Sequence, residues 1–246
     1  MQDTRSSQLL FAAAQKLGLQ PVWLTEYGLF AITIEGREQA LFASKSLLNP
    51  ALSVYLSGNK HITRVLLERA GLPTIPYFLP ASLDAVATFI AQYGVVIAKP
   101  TLGRRSEGVV LLDAQTDLSA FRYDTIILEQ HIKGDEWRYL VLNDEVIAVH
   151  RKEHPDVISQ PTTQLRHAIS SDLWPKEQIE RSLRAARVLG LRFCAVDFIV
   201  DSQNKAWILE VNSEPALHRF HHPDTGAFVP VATLLLEATV AHLRRE

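Results

Sequence analysis

Cysteine is nearly missing from this chain: Cys194 is the one thiol, which excludes an intrachain disulfide and a Cys-rich zinc centre. Its apolar neighbours mark it as a small core residue rather than a nucleophile, and the scarcity of thiols fits a reducing cytoplasm. An excess of one charge is missing too. The formal net charge of -2 provides no general attraction to nucleic acid or to an anionic membrane, so any site for a polyanion must be local. The apolar run Leu9 to Ala14 stops at Gln15-Lys16, too short to span a membrane and without the layout of a signal peptide. Internal repeats, low-complexity tracts and the G-x-x-x-x-G-K-[ST] pattern of a P-loop are absent as well.

What is present is enough apolar material, 47% over 246 residues, to bury a sizeable core in one large domain or two small ones. A helix is expected from about Ser7 to Leu17, a strand at Pro21 to Leu24, and a hairpin from Leu29 to Ala43 through the turn Glu35-Gly36. Helical spacing returns from Gly58 to Ala70 and from Asp84 to Tyr93. Strands follow at Val95 to Lys99, Gly108 to Leu112, Thr125 to Glu129, Trp137 to Leu142 and Glu145 to His150. Glu153 to Gln164 is polar, aperiodic and holds two prolines, which predicts a mobile loop. Helices at Pro175 to Leu189 and Phe228 to Leu243 complete the pattern, the latter burying Val231, Leu234, Leu235, Ala238 and Leu243.

The most informative stretch is Phe193 to Pro215, two apolar strands joined at Asp201 to Lys205 with an acid set into each. Glu210 and Asn212 share a strand face, and folding over the turn can bring Asp197 beside them. Two carboxylates and an amide oxygen are hard donors that suit Mg²⁺. The alternative is an edge hairpin whose acids face water.

Lys99 ends a strand and is followed by Gly103, Arg104, Arg105, Ser106, Gly108 and Val109; glycines let backbone N–H groups approach phosphate, although an ordinary turn uses them equally. Further on, the strand ending in Glu129 exits through Gln130, His131 and Ile132. Such a hinge can place a flat base on aliphatic side chains and offer backbone groups to its edge. Glu136 is then placed for ribose hydroxyls, and Arg138 on the same face for a phosphoryl oxygen or carboxylate, unless the two form a surface ion pair.

Taken in order, Asn59-Lys60, Lys99, the Gly-rich hairpin, the Glu129 to Ile132 hinge, Gly134-x-Glu136-x-Arg138, Asp197 and Glu210-x-Asn212 resemble the ATP-grasp superfamily. The likeness runs from about Ser57 to Gly226. It is nearest to the branch of cyanophycin synthetase, the bifunctional glutathione ligases and the ribosomal-protein glutamate ligases. The resemblance implies an α+β fold with the nucleotide held between two α+β subdomains, a short N-terminal α/β segment at 1–56, and an ATP-grasp domain at 57–246 with its lid near 82–130.

It also implies roles. Lys60 and Lys99 hold phosphates, and the hairpin of Gly103, Ser106, Gly108 and Val109 closes over them. Glu129 with the Gln130, His131 and Ile132 backbone reads adenine, Leu209 forms part of its floor, and Glu136 binds ribose. Asp197, Glu210 and Asn212 hold two Mg²⁺ ions, with Mn²⁺ a substitute, while Arg138 and Arg151 face the γ-phosphate and an acyl-phosphate intermediate.

The expected activity is ATP-dependent ligation of a carboxylate and an amine, supplied by amino acids or peptides, to give an amide. A small-molecule kinase and a non-catalytic ATP-binding subunit remain as alternatives. The chain departs from the branch at Ser106, where a glycine is usual, and at Ala216, where glycine usually follows Pro215. The segment before Ser57 is also short, so part of an acceptor surface is either missing or supplied by a homo-oligomeric neighbour or partner subunit. His218, His221 and His222 read as a substrate contact, a zinc site or a polar surface loop.

Overall fold

The computed structural model describes residues 4–103, 107–119, 121–153 and 165–245. The loop expected at Glu153 to Gln164 falls outside these residues apart from Glu153 itself, as do Arg104, Arg105 and Ser106. The chain opens with α1 (Arg5–Lys16) and a three-stranded antiparallel sheet of β1 (Val22–Trp23), β2 (Leu29–Ile34) and β3 (Arg37–Phe42). Glu35 and Gly36, both at positive φ, form the tight turn that suits the twist of β2 and β3. Next come α2 (Ala51–Gly58) and α3 (Lys60–Arg69), separated by Asn59, whose side chain caps α3 by accepting from the Ile62 N–H.

A second antiparallel sheet is built from β4 (Tyr77–Phe78), β5 (Val96–Pro100), β6 (Val110–Leu112) and β7 (Ile126–Gln130), in the order β4-β7-β5-β6. Helix α4 (Leu83–Tyr93), capped by Ser82, covers it through Val86, Phe89 and Ile90. The largest sheet joins β8 (Gly134–Leu142), β9 (Glu145–Glu153), β10 (Leu165–Ala168), β11 (Phe193–Asp201) and β12 (Ala206–Asn212), in the order β10-β9-β8-β11-β12 and antiparallel throughout. Helix α5 (Lys176–Val188) lies on one face; α6 (Leu217–His221) and α7 (Val231–Leu243) belong to the other.

Alternation along the strands divides the core. Tyr139, Val141, Val149, Cys194, Val196 and Phe198 pack beneath α5. Leu140, Leu142, Ala148, Phe193 and Ala195 pack beneath α1 and α7, in the same cluster as Phe30 and Ile32 of the N-terminal sheet. The N-terminal segment therefore shares a core with the large sheet. Burial pushes the Cys194 thiol up to about 12, in keeping with a core role. Along α7 the buried side is Val231, Ala232, Leu235, Leu236, Thr239 and Val240, turned partly away from the expected stripe.

Candidate active site

Two β-bulges decide which side chains meet. Near their turn, β8 and β9 pair Leu142 with Glu145 and Val141 with Val146, but beyond it Leu140 pairs with Ala148 and Arg138 with His150. Ile147 is the extra residue. In the acidic hairpin Phe198 pairs with Ile208 while Asp197 pairs with Glu210, so Leu209 is extra there. Each bulge shifts every later residue of its strand to the opposite face. Without the one at Leu209, Glu210 would point away from Asp197.

With both in place, His150, Arg138, Asp197 and Glu210 form one row across four strands, and Lys152 and Glu136 lie in the next. Arg151 was expected in this group. The bulge at Ile147 instead pairs it with Trp137 on the other face, where it is exposed and meets Asp135 at 2.9 Å. Lys152 takes the inward position.

Asp197 is fully buried; Arg138 grips both of its oxygens, Nε at 2.5 Å from Oδ1 and Nη2 on Oδ2. Lys152 Nζ lies 3.5 Å from Asp197 Oδ2 and 2.5 Å from Glu136 Oε2. Burial alone would raise the Asp197 pKa, but Arg138 and Lys152 outweigh it and hold the carboxyl well below the usual range. Glu210 goes the other way. Its partial withdrawal from water and the Asp197 charge raise its pKa. Asn212 follows on the same face, its Oδ1 accepting the Glu214 N–H at 2.9 Å.

These three side chains offer oxygen donors that fit Mg²⁺, and in this structure Arg138, Lys152 and the Glu214 N–H occupy them. Among the described residues no three His, Cys, Asp or Glu side chains gather as a metal site, so His218, His221 and His222 form no such zinc cluster there. His221 packs edge-on against His222 and Phe228.

On the β4-β7-β5-β6 sheet, Lys99 is buried with Nζ 2.5 Å from Glu129 Oε2. Lys60, at the start of α3, donates from Nζ to the Gly103 carbonyl at 3.1 Å and from its backbone to Thr101 at 2.9 Å. Burial and the Lys99 charge lower its pKa. Gly108 turns the hairpin back at φ +71, where a Cβ would sit 3.0 Å from the Pro100 ring; Val109 then leads into β6. At the hinge, the Gln130 N–H is taken by Pro76 and the His131 N–H by Val95. Glu129 itself is fully buried between Lys99 and Arg64.

Sequence reasoning missed Arg64, Lys152 and His150. A helical signal did exist for Arg64: it lies four residues after Lys60, on the same side of α3.

The chain belongs to the RimK-like ATP-grasp family, whose profile matches residues 57–228. A D-alanine–D-alanine ligase of Geotalea uraniireducens is 29% identical over 182 residues, 68% of this chain and 59% of that relative. The chain thus spans less than two thirds of the length of such relatives. The bifunctional glutathione synthetase of Pasteurella multocida has the same fold, with a TM-score of 0.72 over 96% of this chain and 44% of that one at 15% identity. The ATP-grasp ligase PsnB, solved with its minimal precursor, Mg and ADP, superposes with a TM-score of 0.61 at 25% identity over 77% of this chain and 60% of that one.

Proposed function

We propose that this chain is an ATP-dependent carboxylate–amine ligase that makes an amide or peptide bond through an acyl phosphate. The observation that carries the reading is the single row of Arg138, Asp197 and Glu210 on the sheet face, with Lys152 beside it. In this reading Lys60 and Lys99 hold the phosphates beneath the Gly103 to Val109 hairpin. The Ile132 backbone meets the adenine edge, over a floor that includes Leu209. Glu136 takes the ribose hydroxyls. Asp197, Glu210 and Asn212 would hold two Mg²⁺ ions or Mn²⁺, which supply charge neutralisation of the transferred phosphoryl group.

The chain's own groups exchange partners when the site fills. Arg138 and Lys152 leave Asp197 for phosphoryl oxygens, while Lys99 stays held by Glu129 and turns its remaining donors to phosphate. Arg138 and Lys152 then steady the negative charge that develops as the amine attacks the acyl phosphate. No side-chain nucleophile is needed. Amino acids or peptides are the proposed substrates, in a cytoplasmic setting, with the segment 1–56 preceding the ATP-grasp domain and a homo-oligomer or a partner subunit as the proposed assembly.

The reading is tested by incubating the protein with Mg²⁺, ATP and pools of amino acids and dipeptides while following ADP and phosphate release. Stimulated release with an amide product is expected. A phosphoester product, or no stimulation by any carboxylate, contradicts it.

A further inference from the structure

Arg64 heads the fully buried side chains by volume among the described residues, at 2% exposure. Burying a guanidinium is costly unless its donors are matched. Its fork is matched from two different sheets. Nε and Nη2 donate to Glu129 Oε1 at 3.1 and 2.8 Å, Nη1 donates to the Ile208 carbonyl at 2.8 Å, and Nη2 donates to the Leu209 carbonyl at 2.6 Å.

Leu209 is the extra residue of the bulge in β12. A bulge interrupts the ladder and leaves backbone groups in need of other partners, and a buried carbonyl without one is destabilising. Arg64 is such a partner, and Glu210, whose facing depends on the bulge, comes next in the chain. At its other end Arg64 takes Oε1 of Glu129, whose Oε2 holds Lys99 at 2.5 Å. One planar cation thus touches the strand that presents Glu210 and the carboxylate that orients Lys99. Lysine, with a single compact ammonium, cannot span all three acceptors in that geometry.

We propose that Arg64 is a positioning residue: it pins the Leu209 bulge so that Glu210 faces Asp197, and through Glu129 it sets Lys99. The inference rests on the nucleotide and metal site proposed above. Arg64 itself touches neither phosphate nor metal in that site.

The test compares the parent with Arg64→Lys, Arg64→Met and Leu236→Ala, the last a core truncation on the buried side of α7. Binding of Mn²⁺ with the non-hydrolysable analogue AMP-PNP is followed by electron paramagnetic resonance and calorimetry, and folding by thermal melting. Both Arg64 variants should weaken Mn²⁺ binding in the ternary complex about ten- to a hundredfold, as loss of an outer partner of a metal ligand does. Leu236→Ala should lower the melting temperature and leave affinity at the parental value.

Parental affinity in a folded Arg64→Lys protein overturns the inference. So does an equal loss of affinity in Leu236→Ala, which would make Arg64 merely structural. If the parent itself binds neither Mn²⁺ nor AMP-PNP, the site reading fails and the inference falls with it. Should Arg64→Met not fold, Arg64→Lys, which keeps the charge beside Glu129, still decides the matter.

Discussion

Asp197 and Glu210 face each other across one ladder position but differ in what their removal does. Asp197 is buried against Arg138 and Lys152, whereas the Glu210 side chain is 41% exposed. In Asp197→Asn the buried Arg138 loses the carboxylate that grips it on both oxygens and Lys152 keeps only Glu136, at a cost of about 3–5 kcal/mol. Glu210→Gln should cost less than about 1 kcal/mol. Urea denaturation of the two variants checks the ordering, which equal losses would refute. Binding of Mg²⁺ with ATP should be weakened in both.

His150 supplies a pH signature. Burial, then the Arg166 and Arg138 charges, push its pKa from 6.5 down to about 4, against a smaller opposing effect of Asp224. The unfolded chain therefore binds a proton between those pH values that the folded chain does not. Stability is unaffected above pH 6.5 and falls as the pH drops from there towards 4, by about 3 kcal/mol at most for this group. In His150→Leu that part of the slope should vanish. A parental slope in the variant would assign it elsewhere.

The two bulges are the elements on which the site turns, and they explain what the sequence could and could not disclose. Arg151 reads as a site residue through the family resemblance, and counting back from the turn at Asn143-Asp144 without a bulge would pair it with Glu136. One extra residue at Ile147 puts Lys152 there instead. Lys152→Ala should accordingly depress ATP turnover at least about tenfold, and Arg151→Ala, on the far face, should leave it near the parental rate. Steady-state kinetics on both variants check this; the reverse order would restore the unbulged pairing. Asp197, Glu210 and Asn212 were legible because their spacing lies within one hairpin. Arg64 was not, since its partners Glu129, Ile208 and Leu209 are distant in sequence. The short elements α2, α6, β4 and β10 escaped for a different reason: each has too few residues to display a period.

Across the whole molecule, the β4-β7-β5-β6 sheet and the large sheet carry charged groups that neutralise one another: Lys99 with Glu129, Arg138 with Asp197, and Lys152 with Glu136. The fold was legible from the order of its motifs. The pairings were not, because they depend on how the sheets meet. They carry a consequence for binding. A free divalent cation must displace Arg138 from Asp197 with no phosphate to receive it, so Mn²⁺ alone should bind at least about tenfold more weakly than Mn²⁺ with AMP-PNP. Equal Mn²⁺ affinity with and without the nucleotide would contradict the exchange.

The central claim, that a carboxylate is activated as an acyl phosphate, is tested most directly by isotope transfer. The protein is incubated with Mg²⁺, ATP and the stimulating amino acid or peptide pool, its carboxylates enriched in ¹⁸O, and the released phosphate is examined by mass spectrometry. Attack on the acyl phosphate leaves one carboxylate oxygen on the phosphate, so ¹⁸O-labelled phosphate should appear in step with the amide product. Unlabelled phosphate, or label retained entirely in the carboxylate while ADP accumulates, would contradict the account.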